Sequence, residues 1–553
     1  MRPDSWSTSY LLRSPLGIST STSNSSTCIL RSSRDRPVDG RRRVSLAHNG
    51  PVRAAEGASM VGSDVRHGRP ATPLRGRGAD RGAVRGTLAL VLVLALVAGG
   101  LAAWHYDVLD RFRGTDDAVA GPADPATVAP PTGVEVPEVG APAPVAARSP
   151  RGGVDAAAVE AALAPYLRDR DLGRHLLVEV APLTGARAAF TSGRGTAMPA
   201  STTKVVTTTA ALLALGPDHV FTTEVRASGN RVALVGGGDP YLERGPAELD
   251  GSPWPYPVRA DLETLAQATA EALRAEGRRR VRLVVDDSAF TGPAENPTWE
   301  DGYVSSGEAA PTSALWVDQG RVRSGLGRVA DPALEAGTSF AQALAAAGVT
   351  VVGAPTRGVL AGAPVVASID SPPLRQIVER ALEVSDNDAS EVLLRHVGVA
   401  VGGEGSIEAG RAGVRTVLRR AGVDLGASEL YDGSGLSRQN RLDPSVLVDV
   451  LRLAASDDHP GLRPVVTGLP VAGFTGSLTD RMTEGPSAGL GRVRAKTGTL
   501  SSVSSLAGLA TDVDGTVLVF ALMADRVSLE KGLDARVVMD AAAAALGACA
   551  CAS

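Results

Sequence analysis

Lysine is scarce in this chain. Its 553 residues include 56 basic side chains, and only Lys204, Lys496 and Lys531 are lysines; the rest are arginines. Arginine stays protonated at any ordinary pH, whereas a desolvated lysine can give up its proton, so each surviving lysine is a candidate for a place where an amine is specifically required, although Lys531 has no assigned role. Lys204 follows Ser201 by three positions, a helical spacing that sets hydroxyl and amine side by side. Residues 202–215 are almost all apolar or threonine, between Pro199 and Gly216-Pro217, which predicts a buried helix opening at this pair. Burial lowers the amine's proton affinity and lets it take the serine's proton, while N–H groups of the helix N-terminus face a developing oxyanion. That is nucleophilic acyl chemistry, although one Ser-x-x-Lys is also within the reach of chance.

Two further stretches fit the same chemistry. Lys496 lies in Ala495-Lys496-Thr497-Gly498-Thr499, expected on an edge strand. There a cationic Lys496 binds a carboxylate, Gly498 lets a substrate backbone come close, and the Thr499 N–H supplies a second oxyanion donor; a solvated surface lysine is the alternative. Ser385-Asp386-Asn387 is expected on the loop between two packed helices, the second opened by Asp388-Ala389-Ser390-Glu391 as a capping box. An ordinary helix–helix turn is the alternative there. Competing signals fall away. Gly485-Pro486-Ser487-Ala488-Gly489 matches G-x-S-x-G but lacks a strand before it and a helix after it. None of the seven histidines forms H-E-x-x-H, and His219 and His396 read as structural. Gly236–Gly238 does not make a phosphate loop. With no cysteine between Cys28 and Cys549, a disulfide framework and a cysteine-rich zinc module are excluded, and Cys549 and Cys551 have no assignable role. No cofactor or metal is called for.

The positioning elements follow from the pattern. A helix is expected at 156–167, strands at 175–181 and 186–191, and then the helix bearing Lys204. Residues 223–365 differ, with short β-like runs at 231–235, 281–285 and 349–353 and a helix at 261–276; they read as an inserted, smaller α+β domain. Helices return from 371. Strands at 506–511 and 516–524, joined by Asp514-Gly515 as a type I′ hairpin, and a helix at 535–546 close the chain. The fold class is α/β (α+β), with a main domain made of 153–222 and 366–548. Before it, residues 1–86 are Arg- and Ser-rich and read as a disordered cytoplasmic leader, 87–104 are uncharged and read as a single-pass membrane anchor, and 105–152 form a Pro/Ala-rich spacer. Arginines before the apolar stretch and aspartates after it orient the body outside the cytoplasm, with a cleaved signal as the alternative. Met60 opens a compact leader of its own, so residues 1–59 are expected to be untranslated. The 44% hydrophobic content excludes wholesale disorder, and the leader lacks the interleaved aromatics of a nucleic-acid-binding arm.

Taken together, Ser-x-x-Lys, Ser-x-Asn and Lys-Thr-Gly in this order resemble the signature of penicillin-recognising serine acyl-enzymes. Gly237-Gly238-Asp239-Pro240-Tyr241-Leu242, Val285-Asp286-Asp287-Ser288-Ala289-Phe290 and above all Tyr431-Asp432-Gly433-Ser434-Gly435-Leu436-Ser437-Arg438 narrow it. Over about 155–546 the chain resembles the class C low-molecular-mass penicillin-binding proteins, D-alanyl-D-alanine carboxypeptidases that often act as endopeptidases too. The resemblance implies a β-lactamase/DD-peptidase-like transpeptidase domain, peptidoglycan stem peptides and β-lactams as partners, and no cofactor. It implies Ser201 as nucleophile, Lys204 as its base, Ser385 relaying a proton to the departing D-alanine and Asn387 holding the substrate amide. It further implies Lys496 and Thr497 on the terminal carboxylate, beside Gly498, and an oxyanion hole from the Ser201 and Thr499 N–H groups. Arg438, Ser501 and Asp301 are implied to hold the free end of a diaminopimelate side chain. One departure is that only about 25 residues separate Trp316 from the helix expected at 340–347, too few for the third domain that family members usually nest in the insert. A non-catalytic wall-peptide module and a β-lactamase are the rival readings; no deacylating carboxylate stands out for the latter.

Overall fold

The structure is a computed structural model that describes residues 153–185, 188–246, 256–324 and 326–553. The expected leader, membrane segment and spacer lie outside the described residues. Among the described residues no helix is long and apolar enough to cross a membrane. All the described residues belong to one compact unit.

In chain order the elements are α1 (Ala156–Leu167), β1 (Leu176–Pro182), β2 (Phe190–Ser192), α2 (Thr203–Leu215), β3 (Thr222–Ser228), β4 (Arg231–Val235), α3 (Leu262–Ala275) and β5 (Arg280–Asp286). Then come α4 (Pro332–Ala346), β6 (Thr350–Val351), β7 (Thr356–Arg357), β8 (Val365–Asp370), α5 (Leu374–Glu383), α6 (Asn387–Gly402), α7 (Ile407–Arg420) and α8 (Pro444–Ala455). The chain closes with β9 (Val493–Leu500), β10 (Val503–Thr511), β11 (Val517–Ala524) and α9 (Gly532–Ala548).

Among the described residues, one sheet is antiparallel throughout, in the order β2-β1-β11-β10-β9. Its central strand β11 reads as a continuous apolar run because both faces are covered. Leu518, Phe520 and Leu522 point toward Val159 and Leu163 of α1 and Met539 of α9. The alternate residues Val519, Ala521 and Met523 join Val205 and Val206 of α2 and Leu447 and Leu451 of α8. Period-two alternation thus feeds two separate cores rather than a core and solvent. The β10–β11 connection departs from the expected type I′ turn. Asp512 N–H donates to Thr516 O at 2.9 Å around a three-residue loop, and Asp512 Oδ1 accepts the Asp514 and Thr516 N–H groups at 2.9 and 2.7 Å. Only Gly515 of the two expected residues has positive φ, at 87°, which is the longer-loop hairpin with glycine in the left-handed position.

The second sheet runs β6-β5-β4-β3-β8, with β7 also paired to β5. Strand β5 is parallel to β4, β6 and β7, whereas β3 is antiparallel to both β4 and β8. Helix α3 is the crossover from β4 to β5, and it packs with α4 on one face, where Leu262, Leu265, Leu273, Phe340 and Leu344 meet Val225, Leu234, Leu283 and Val285. Asp261 caps α3 at Thr264 N. Helix α4 begins at Pro332, earlier than expected, because Asp331 accepts the Leu334 N–H and proline suits the first helical turn. The connection standing where a third domain would be is therefore shorter still, 317–331.

Helix α6 also starts differently from the expectation. Its N-cap is Asp386, which accepts the Ala389 N–H at 3.0 Å, so Asn387 is the first helical residue rather than a loop residue. Asp388, expected to cap, instead accepts the Ala310 N–H at 2.7 Å and pairs with Arg328 at 2.7 Å, both groups buried. Gln319 Nε2 reaches both Asp386 oxygens, at 3.0 and 2.8 Å. These bonds tie the 308–328 stretch to the helix that carries the Ser-x-Asn motif. At the C-terminus, Asp155 N–H donates to Cys551 O and Val154 bridges Ala552, and Cys549 is disulfide-bonded to Cys551, a local link that the sequence reading did not assign.

Candidate active site

Ser201 sits in a single 3-10 turn, Ala200–Thr202, immediately before α2 rather than within its first turn. The turn is held from several sides. Ala197 exchanges backbone hydrogen bonds with Leu442, both 2.9 Å; Met198 N–H donates to Asp525 Oδ2 at 2.9 Å; and Pro199 O accepts from Thr202 Oγ1 and Ser505 Oγ. Asp525 Oδ1 in turn lies 2.5 Å from His175 Nδ1. Ala200 has φ 48°, a left-handed conformation that costs free energy for a residue with a Cβ. It persists because the neighbouring 433–435 turn packs on it so closely that a Cβ on Gly435 would meet Ala200 O at 1.9 Å.

Lys204 is fully buried one helical turn on. Its Nζ lies 2.9 Å from Ser201 Oγ, 2.7 Å from Asn387 Oδ1 and 2.6 Å from Ser434 O. Burial pulls its pKa down to about 8, opposed by the carboxylates of Asp432, Glu391, Asp386 and Asp388. Asn387 Nδ2 donates to Glu308 O at 2.8 Å, which fixes the amide's orientation.

Strand β9 is the edge strand that the sequence suggests, but Lys496 is not a surface lysine: it is fully buried. Its Nζ donates to Ser385 Oγ at 2.8 Å and to Thr497 O at 2.9 Å. Burial, then the nearby Lys204 and Arg481, push its pKa well down. Ser385 occupies the α5–α6 loop at φ 60°. Thr497 Oγ1 is 3.0 Å from Ser477 Oγ, a neighbour with no signal in the sequence. Gly498 has a purpose beyond the one expected. A Cβ there would meet Ser505 Oγ at 2.1 Å, Pro199 O at 2.5 Å and Ser201 N at 3.1 Å, so the glycine admits the protein's own Ser201 turn.

These groups border a cleft of about 750 Å³ lined by Ser201, Ser385, Asn387, Leu436, Arg438, Thr499, Leu500 and Ser501, and closed on the far side by residues 300–308. Lys204 and Lys496 stand buried behind that wall. Asp301 lines the cleft, yet Arg438 pairs with its neighbour Glu300, whose Oε1 lies 2.8 Å from Arg438 Nε, and donates from Nη1 to Ser501 O at 2.9 Å. Tyr303 O–H donates to the other Glu300 oxygen at 2.9 Å. Glu300 was missed because one acidic residue beside another gives no local clue to which faces the arginine.

The Tyr431–Arg438 run is a scaffold for the site. Asp432 accepts the N–H groups of Gly435 at 2.9 Å and Ser437 at 2.5 Å, the Asn440 amide at 2.7 Å and the Trp299 indole at 3.0 Å. Glu391 Oε1 accepts the Gly433 and Ser434 N–H groups at 3.0 and 2.8 Å. His396 is structural, as expected: its ring stacks on Phe221 at 4.0 Å, meets Phe290 edge-on and lies 2.9 Å from Gly238 O.

Comparison with known proteins identifies the family of the chain. Residues 159–328 and 323–546 match the D-Ala-D-Ala carboxypeptidase 3 (S13) family. The chain is 36% identical to carboxypeptidase DacB of Mycolicibacterium smegmatis, over 87% of this chain and 99% of that one. It is 32% identical to a D-alanyl-D-alanine carboxypeptidase of an Actinomadura species, over 61% of this chain and 75% of that one. The solved structure of penicillin-binding protein 4 from Haemophilus influenzae superposes with a TM-score of 0.55 at 21% identity, covering 68% of this chain and 94% of that one, which establishes the shared fold. The chain belongs to the D-Ala-D-Ala carboxypeptidase 3 (S13) family and is a class C low-molecular-mass penicillin-binding protein.

Proposed function

We propose that the protein is a serine-type D-alanyl-D-alanine carboxypeptidase that removes the terminal D-alanine of peptidoglycan stem peptides through an acyl-enzyme on Ser201. The observation that carries this reading is the surroundings of Lys204 Nζ. A neutral amine has two hydrogens and one lone pair. Asn387 Oδ1 and Ser434 O only accept, so they take the two hydrogens, at 2.7 and 2.6 Å, and the lone pair is left for the Ser201 hydroxyl at 2.9 Å. The base is aimed by elimination.

The reaction follows from this arrangement. Ser201 Oγ attacks the carbonyl carbon of the penultimate D-alanine while its proton passes to Lys204. Thr499 and Ser201 N–H groups receive the oxyanion. The C–N bond then breaks, and the proton held by Lys204 passes to the departing nitrogen through Ser385, itself hydrogen-bonded to Lys496, which leaves Lys204 neutral again. Water attacks the ester and gives a proton to Lys204, which returns it to the Ser201 oxygen as the ester bond breaks. Lys496 and Thr497, on the strand that Gly498 seats against the nucleophile turn, receive the terminal carboxylate, and Asn387 orients the substrate amide. Arg438 and Ser501, with Asp301, line the place for the free end of a diaminopimelate side chain, Glu300 holding the guanidinium in position. An amine donated by a cross-link fits the same leaving-group position, which extends the reading to endopeptidase action. The substrate sets the site of action outside the cytoplasm, with residues 87–104 as the proposed anchor. Neither a non-catalytic module nor a β-lactamase has an observation in its favour.

Labelled penicillin tests the reading. It should attach covalently at Ser201, and Ser201→Ala should abolish attachment. Label that persists on the alanine variant overturns the mechanism. Turnover of a D-Ala-D-Ala peptide outpacing β-lactam hydrolysis separates the carboxypeptidase from a β-lactamase.

A further inference from the structure

We infer that Glu391, which the proposed reaction does not use, is a positioning residue that aims Lys204 and sets the pH at which Lys204 becomes a base. The inference rests on the reading of Lys204 as the base for Ser201.

The geometry begins at α6. Glu391 is buried, one helical turn past Asn387, and its side chain crosses to the 433–435 turn. A single oxygen, Oε1, accepts the Gly433 and Ser434 N–H groups at 3.0 and 2.8 Å. These two bonds orient the peptide units whose next carbonyl, Ser434 O, takes a hydrogen from Lys204 Nζ at 2.6 Å. Gly433 itself lies so close to α6 that a Cβ would meet Ser390 O at 2.4 Å, so the turn has no room to tilt. Helix α6 thus supplies both of the acceptors that consume the amine's hydrogens: Asn387 directly, and Ser434 through Glu391.

The same carboxylate is a buried negative charge near a buried amine. The charged groups facing Lys204 are Asp432 on the 431–438 run, Glu391, Asp386 and Asp388 on or beside α6, and Lys496 on β9. Those facing Glu391 are Lys204 on α2, Asp432 and, on its own helix, Arg395. Burial and Asp432 push the Glu391 carboxyl upward, whereas the Ser434 hydrogen bonds and Arg395 favour its ionised form. Asp432 steadies the same acceptor from within the turn, its Oδ1 taking the Gly435 N–H at 2.9 Å, and Glu391 is the carboxylate that does so from α6. When Glu391 is ionised Lys204 keeps its proton to higher pH, and when Glu391 is protonated the neutral amine is favoured, so the two titrations are linked.

Glu391→Gln separates aiming from charge, because an amide oxygen still accepts both N–H groups. The rate constant for acylation by labelled penicillin, measured on the full chain from pH 5 to 10, should keep its high-pH plateau while the upper part of its rising limb moves to lower pH. Rates near pH 6 should match the unmutated protein, because the Glu391 carboxyl, raised to about 8, is already protonated there, and the gain should open severalfold around pH 8, where that carboxyl ionises. A rate constant is read from the labelled molecules alone, so a partly folded sample does not distort it. Glu391→Ala should instead depress the plateau itself. The three lysines allow a second measurement in the unmutated protein: with ¹³C-lysine, the Lys204 signal, assigned with Lys531→Arg and Lys496→Arg, should titrate in two steps, one reporting Glu391. An unmoved limb in Glu391→Gln, or a single Lys204 step, overturns the inference. Loss of labelling in Ser201→Ala is a separate readout and bears only on the underlying mechanism.

Discussion

At the residue scale the site is defined by what an amine can do and a guanidinium cannot. Lys204 is suited to its proposed role as base because burial strips its ammonium of water, lowering its pKa to about 8. Lys204→Arg retains positive charge but cannot supply a lone pair at ordinary pH. Its acylation rate should fall by about 10²–10⁴-fold, the usual worth of general base catalysis, measured with labelled penicillin on a variant that keeps the wild-type melting transition. Recovery to wild-type rates would show that charge alone suffices. The residue types and spacing of Ser201, Lys204, Ser385, Asn387 and Lys496 were legible in the chain because the chemistry tolerates few alternatives. Ser434 O and Glu300 were not legible, and Glu391 was legible only as the partner in a capping box, whereas Asp386 caps α6 and Glu391 crosses to the 433–435 turn. Each acts through a partner tens or hundreds of positions away, and a lone glutamate or a backbone carbonyl has no distinguishing neighbours in sequence.

At the element scale, β9 and the 3-10 turn at 200–202 must touch. Gly498→Ala puts a methyl group where Pro199 O and Ser505 Oγ already stand, so the strand or the turn must give way. A displacement on the order of 1 Å at a reacting group costs about 10² in rate, so acylation should drop by roughly that factor with little change in the melting midpoint. A variant that acylates at the wild-type rate would mean the edge strand yields without moving the turn. Helix α6 carries a second test. His396 is wholly buried, and burial lowers its pKa from 6.5 to about 4. The unfolded chain therefore binds this proton first as pH falls, so stability is lost from about pH 6.5 down to about 4 and levels off below. The contribution is on the order of 3 kcal/mol across that window. Urea melts at stepped pH should show it, and His396→Phe should flatten that part of the profile; identical profiles would sink the assignment.

At the scale of the whole described body, the second sheet and its helices are fastened to the catalytic helices by buried polar contacts as well as apolar packing. Arg328 and Asp388 form a buried pair, and Asp388 also takes the Ala310 N–H. Removing one partner leaves a charge unpaired, so Arg328→Ala should cost about 3–5 kcal/mol in a urea melt. Arg328→Met together with Asp388→Asn should recover most of that loss, since no lone charge is then buried and asparagine still accepts from Ala310. Equal destabilisation of the single and double variants would mean that packing, not charge, carries the contact.

By itself the sequence determined the chemistry on offer and the elements whose patterns are local. The bounds of α1 and β4 are those expected from periodicity, and the run of apolar residues in β11 reports a strand covered on both faces. Tertiary structure decided the rest. It made Asp386 rather than Asp388 the cap of α6, spent Asp388 on Arg328, turned Gly498 toward the protein's own backbone, and chose Glu300 over Asp301 as the partner of Arg438. It also buried Lys496, whose strand reads equally as a surface strand, behind the cleft. The physical reason is common to all of these. A cap, a close approach, an ion pair and a desolvated amine are each set by groups far apart in the chain, and only folding brings those groups within reach.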